Sequence, residues 1–424
     1  MKQWGKQAAA AVLAASLLCP WASGAGRADA AATTVQIMLD DVPLAFDAEP
    51  LLDKGVTFVP FRAIGEALGI GLVWDGSARK VTATGTRDGK SVEVVLQVGN
   101  GTALVDGQNV KLPAAPIMVN NRVMIPLSFF STQFGAKVSW SQETRTVSIV
   151  SPQQALHLRA FYALGSFKER DIIQSMNSVA FGWSRIDSNG VFTTEGAEYR
   201  IPEPSGDITA DSLVSDAAAS GIKPYLMVYS GDGNNELTKM LSDASLRSQS
   251  ITGITQEVQD KGFGGVVLDY EGLGFKLDKE SQRKLLNDYV KELREALPKE
   301  TALSVAVPPP NGAYQGYDYK TLATVADDLI VMAYQYHPAG TAAQVPEPNG
   351  KVQDAIRLTL DAGVPKEKLL LGIDMSSETP SSIDDKLGLA KRYDLKGAAF
   401  WRLGLFREYA EGMEDAVGKS VTKE

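Results

Sequence analysis

The residues whose types and spacing are best suited to chemistry are Asp269 and Glu271, two carboxylates two positions apart in the stretch Gly262-Phe263-Gly264-Gly265-Val266-Val267-Leu268-Asp269-Tyr270-Glu271-Gly272. The stretch opens on a Gly-rich turn and is otherwise nearly all apolar, the pattern of a strand buried on both faces. Alternation along a strand puts Val267, Asp269 and Glu271 on one face and Val266, Leu268 and Tyr270 on the other. Adjacent carboxylates at the C-terminal end of a buried strand are costly to desolvate. Each also raises the other's pKa, which keeps a carboxylic acid protonated near neutral pH for general-acid work. The competing reading is a strand end that reaches solvent with both acids merely hydrated. Asp-x-Glu alone does not separate the two.

The elements around this stretch sharpen the choice. After Ser151-Pro152-Gln153-Gln154 the sequence alternates apolar strands with helical stretches. The candidate strands are 156–162, 178–183, 223–229, 265–271, 302–307, 329–334, 369–373 and 397–401. Between the fourth and fifth, residues 282–297 carry a helical apolar stripe. Eight strands within 155–415 predict an α/β fold, a (β/α)8 TIM barrel, with catalytic groups at the C-terminal strand ends. Asp269, Glu271, Tyr334 and Trp401 all fall there. Trp183 ends the second strand as a sugar platform or a core filler. Tyr229 and Asp232 follow the third strand, Asn311 the fifth, His337 the sixth, and Asp374 and Glu378 the seventh; these are the further candidates for substrate contact. Asp327 and Asp328 precede the sixth strand at the opposite face and read as solvated.

Gly265 to Glu271 resembles the fourth-strand signature of glycoside hydrolase family 18. Met332-Ala333-Tyr334 is similar to that family's sixth-strand Met-x-Tyr, and Phe400-Trp401-Arg402-Leu403-Gly404 to its eighth-strand Trp. Phe181-Gly182-Trp183-Ser184 points to the spore and cell-wall lytic branch. The resemblance implies a retaining mechanism in which the substrate's own 2-acetamido group is the nucleophile, an exception among retaining glycosidases. By match of motif, Glu271 is the general acid and base, Asp269 orients the acetamido group, Tyr334 hydrogen-bonds its carbonyl, and Trp401 is the floor under the sugar. An N-acetylated glycan is the implied partner, with no cofactor and no metal. Three positions depart from the family pattern: Gly264, Val267 and Gln335. Val267 stands where a carboxylate or amide often shares the proton of Asp269, and Gln335 replaces an Asp. An apolar Val267 is expected to raise the pKa of Asp269 and alter the pH profile. The link from Asp374 to Lys396 is too short for an extra groove-walling module, so an open cleft is expected, suited to peptidoglycan. Retention of both acids favours an enzyme over a glycan-binding barrel or a purely structural envelope protein.

Upstream, residues 36–150 contain a duplication. Thr57-Phe58-Val59-Pro60-Phe61-Arg62 and Val123-Met124-Ile125-Pro126-Leu127-Ser128 align without a gap at an offset of 66. Each continues through a short helix to Leu68-Gly69 or Phe134-Gly135, then Trp74 or Trp140, then a strand. A duplicated, smaller α+β domain follows. It resembles the copper amine oxidase N-terminal-like, or stalk, domain of exported Gram-positive proteins, which implies a spacer or an envelope-attachment module. The region has no His and no Cys, so no copper site is expected. Trp74 and Trp140 are expected to plug the core of each unit rather than stack on sugars.

The first thirty residues read as a secretory signal: Lys2 and Lys6, an apolar stretch from Ala8 to Leu18, and cleavage after Ala30. Removing it takes the formal charge from −9 to −11 and leaves 394 residues without the single cysteine, Cys19. The expected product is secreted or held at the cell envelope, without disulfides. Its acidic balance argues against nucleic acid or anionic lipid as partner.

Overall fold

A computed structural model describes residues 35–424. The expected signal segment, its cleavage site and Cys19 lie outside the described residues. No described helix is long and apolar enough to cross a membrane.

The duplication is visible element by element. Strands Leu51–Asp53 and Val56–Pro60 lead into helix Phe61–Ala67 and strand Gly71–Asp75. Sixty-six residues on, Ile117–Val119 and Arg122–Pro126 lead into helix Leu127–Gln133 and strand Lys137–Ser141. Each helix is entered through a proline and left through a glycine with positive φ, Gly69 or Gly135, a left-handed stop that costs a glycine little. The units join through the antiparallel pair Val56–Pro60 and Arg122–Pro126, with Ile125 opposite Val59. They share one core that includes Val59, Ile64, Ile125, Leu127 and Phe130. The two tryptophans part company. Trp74 is half-buried with its ring 6.4 Å from that of Phe61. Trp140 is 40% exposed, which corrects the expectation that it plugs a core.

The larger part is a closed barrel of eight parallel strands: β1 Gln154–Tyr162, β2 Ser178–Ile186, β3 Lys223–Ser230, β4 Gly265–Tyr270, β5 Ala302–Val307, β6 Asp328–Met332, β7 Leu369–Asp374 and β8 Gly397–Trp401. Pairing of β8 with β1, from His157 opposite Gly397 to Ala160 opposite Phe400, closes the ring. Strand alternation sorts side chains into two layers. Phe161, Ala180, Met227, Val267, Ile330 and Leu370 pack inside the barrel, whereas Leu158, Phe181, Leu268, Val305 and Val331 pack outward against the helices. Helix Lys279–Ala296 shows how the outer layer forms. Asp278 caps it by accepting from the Ser281 N–H at 2.8 Å, and its buried stripe is Leu286, Tyr289, Val290 and Leu293. Each such side chain contributes about 1.5–3 kcal/mol by leaving water.

The N-terminal end of the barrel is closed by a polar plug. Arg159 is wholly buried and donates to both carboxylate oxygens of Asp328, at 3.0 and 3.1 Å. Ser304 and Lys396 also donate to Asp328, and the guanidinium lies 4.2 Å from the centre of the Tyr225 ring. Asp328 is therefore not the solvated residue expected from the sequence. The cations around it hold its carboxyl well below the usual carboxylate range, against the cost of burial.

Candidate active site

The opposite, C-terminal end is where β4 delivers the carboxylates. Tyr270 points outward, fully buried, with its hydroxyl 3.2 Å from that of Tyr289. The Tyr317 hydroxyl donates to the Tyr270 carbonyl at 2.7 Å, and the Glu271 N–H donates to the Ser230 carbonyl at 2.8 Å. The backbone between the two acids is thus tied on both sides. Chain direction changes at Gly272, with φ +94°, where a Cβ would sit 3.1 Å from the Asp232 amide nitrogen. Only glycine meets both demands without strain.

Asp269 is 4% exposed and its Oδ1 has no hydrogen-bond partner among the described residues. Behind it on the same face is Val267, fully buried. Burial first, and then the neighbouring Glu271, raises the pKa of Asp269 well above its ordinary value. Burial also raises Glu271. Neither acid faces a cation close enough to reverse this, so the pair holds a proton more readily than free carboxyls do. The phenols of Tyr334, Tyr229 and Tyr199 are pushed up by burial, with added contributions from both acids. All three phenols therefore keep their protons beside the two carboxyls. Tyr199 and Tyr229 stack with ring centres 4.3 Å apart. Trp401 closes β8 half-buried, its ring edge-on to Phe161 at 5.3 Å. Asp269, Glu271, Tyr229, Tyr334 and Trp401 therefore share one mouth. Among the described residues, no group of three His, Cys, Asp or Glu is arranged to hold a metal ion.

The sequence model of glycosyl hydrolases family 18 matches residues 139–379, more than half of the chain. The chain belongs to this family. The match includes Asp269, Glu271 and Tyr334 and stops before Trp401. Residues 38–149 match the copper amine oxidase N-terminal domain. Among curated relatives, a putative sporulation-specific glycosylase, YdhD, of Bacillus subtilis is 27% identical over 193 residues, 42% of this chain and 44% of the relative. The cortical fragment-lytic enzyme of Bacillus subtilis is 24% identical over 140 residues, 31% of each chain. The chain thus spans less than half the length of these relatives. Among solved structures, the Bacillus cereus spore cortex-lytic enzyme SleL superposes with a TM-score of 0.53 at 16% identity, over 65% of this chain and 76% of that one. A chitinase from Chromobacterium violaceum gives 0.50 at 20% identity, over 63% and 99%. At such identities the likeness is one of fold.

Several expected substrate contacts are otherwise engaged. Trp183 is 3% exposed and packs outside the barrel with Phe181, Tyr162 and Phe263; it fills core. Asp232 is buried and accepts from the Thr238 N–H and hydroxyl at 2.9 and 2.6 Å. Glu378 is 1% exposed and paired with Lys386 at 3.2 Å. Asn311 accepts from the Tyr336 hydroxyl at 2.9 Å and donates to the Lys351 carbonyl at 3.1 Å, so it ties loops together. Asp374 is taken up by Ser376, and the His337 ring by the Pro346 carbonyl. Gln335 is exposed and sits in the left-handed region, φ +64°.

That strained residue exposes a support the sequence concealed. The N–H groups of Gln335 and Tyr336 donate to the two carboxylate oxygens of Glu347 at 2.8 and 3.1 Å. The Glu347 N–H in turn donates to Glu378 at 3.1 Å. A buried chain of carboxylates therefore clamps the backbone immediately after Tyr334. Glu347, Tyr199 and Tyr317 all lie in connections between strands, where no periodicity marks them. The Pro346-Glu347-Pro348 context is the one local sign of a rigid turn.

Proposed function

We propose that this chain is an exported glycoside hydrolase that cleaves β-1,4 bonds after N-acetylglucosamine in peptidoglycan or spore cortex, by substrate-assisted retention. The observation that carries the reading is the Asp269–Glu271 pair at one barrel mouth with Tyr334, desolvated and facing no cation. A buried carboxyl with a raised pKa holds its proton to higher pH than a free one, which suits a general acid. Glu271 transfers its proton to the glycosidic oxygen as the bond from that oxygen to the anomeric carbon breaks. The acetamido carbonyl oxygen of the same sugar forms the new bond to that carbon, giving an oxazolinium ion. Asp269 holds the acetamido N–H and stabilises the positive charge, and the Tyr334 hydroxyl donates to the attacking carbonyl. The carboxylate of Glu271 then takes a proton from water as the water oxygen opens the ring. Trp401 is a flat apolar floor for the distorted sugar.

Peptidoglycan is preferred over chitin because the β7–β8 connection holds little more than helix Ser382–Arg392, which leaves the cleft unwalled on that side. The names of the relatives, a cortical fragment-lytic enzyme and a sporulation-specific glycosylase, point the same way. Export rests on the reading of residues 1–30, and envelope attachment is assigned to the N-terminal domain. The test is release of new reducing ends from purified cortex peptidoglycan and from chitin oligomers by wild type and Glu271→Gln. Cleavage by wild type alone is expected. Undiminished glycan binding by both proteins without cleavage would make the barrel a lectin, with Val267 and Gln335 as marks of a retired site.

A further inference from the structure

We propose that the second unit of the N-terminal domain carries a glycan-binding groove of its own, built around Trp140 and selective for an uncharged N-acetylated polysaccharide chain. The duplication supplies an internal comparison. In the first unit, Trp74 is half-buried beside Phe61. At the equivalent positions of the second unit stand Trp140 and Leu127. Leu127, buried in the core, lies at the floor of a groove of about 560 Å³ lined also by Pro126, Leu52, Phe129 and Trp140. The Trp140 indole N–H donates to the Gln142 side-chain carbonyl at 3.0 Å, which fixes the ring while 40% of the residue stays exposed.

The lining identifies the ligand. None of the fifteen residues around the groove carries a charge, in a chain of which 22% is charged. A charged occupant would forfeit hydration there with nothing to replace it. The polar groups present are the hydroxyls and amide of Thr57, Ser128, Thr132, Ser139 and Gln142, which suit hydroxyl and acetamido groups. A rigid indole face offers apolar area at low entropic cost to the C–H face of a pyranose ring. Two glycan contacts on one chain raise the effective concentration of polymer at the barrel.

The test uses the full chain carrying Glu271→Gln, so that no polymer is consumed, and measures retention on insoluble chitin. Trp140→Ala is expected to weaken retention about tenfold, as loss of roughly 1.4 kcal/mol of contact would. Thr132→Arg, which puts a bulky charged side chain over the groove at an exposed position with Trp140 and the core intact, should weaken it similarly at an unchanged melting temperature. In chains with native Glu271, neither change should alter hydrolysis of a soluble trisaccharide. Retention unchanged in both variants would overturn the proposal, as would displacement of the Glu271→Gln chain from chitin by an apolar peptide that acts equally on Trp140→Ala. If the barrel proves inactive, wild type releases no reducing ends while Trp140-dependent retention persists, so the two readings fail separately.

Discussion

Asp269 has an apolar residue behind it and an unpartnered oxygen, and this sets how the protein responds to pH. Its folded pKa is raised, so the folded state binds the proton more tightly than the unfolded chain does. Stability from this group is complete below the unfolded value near 4 and is lost as pH rises through the folded value. Asp269→Asn removes that loss. Its melting temperature should exceed that of wild type at neutral pH, by an amount equivalent to about 1.4 kcal/mol for each unit of the rise. The difference should fade toward pH 4. An offset that is constant across pH 4–8 would show that the carboxyl ionises normally. Under the proposed mechanism the same substitution removes the group that orients the acetamido nucleophile, so it should cost activity as it adds stability.

At the scale of elements, the two ends of the barrel use charge in opposite ways. At the N-terminal end Asp328 is surrounded by Arg159, Lys396 and Ser304 and its charge is fully compensated. At the C-terminal end the acids are left with phenols. The first arrangement ties β1, β5, β6 and the start of β8 together; the second is the one proposed to react. Asp328→Ala leaves the Arg159 guanidinium buried without its counter-ion, and urea denaturation should show a loss of about 3–5 kcal/mol. Below the new unfolding transition, turnover should be near that of wild type, because the plug lies at the far end from the mouth. A loss under about 1 kcal/mol would mean that water reaches the guanidinium. The Glu347–Glu378–Lys386 chain shows the same compensation used locally, to hold the turn that follows Tyr334.

For the whole molecule, the junction between the duplicated domain and the barrel is a small, tight contact. Asp40 is 4% exposed and accepts from the Ser151 N–H at 2.7 Å. Arg392 donates to the carbonyls of Val42 and Pro43 at 3.3 and 3.4 Å. Gly388 allows this approach, since a Cβ there would lie 2.4 Å from that of Asp40. Gly388→Leu should therefore unseat the N-terminal domain. Limited proteolysis should cut sooner near 151–154, while cleavage of a soluble oligosaccharide by the barrel continues. Unchanged proteolysis would mean that the remaining contacts hold the seat alone.

The sequence by itself determined the features that repeat locally: barrel strands of period two, the 66-residue duplication, and an acid pair whose spacing puts both side chains on one strand face. These follow from near-neighbour sterics and burial. Even so, the fourth and sixth strands end one and two residues earlier than the apolar runs predict, at Tyr270 and Met332. The backbone there turns into the mouth at Gly272 and Gln335. Only the tertiary structure decided which polar residues are spent on one another. Asp328, Glu378, Asp232 and Asn311 each have a partner distant in sequence, and pairing over such distances leaves no periodic trace. The same holds for Tyr199, Tyr317 and Glu347, and for the parting of Trp74 from Trp140.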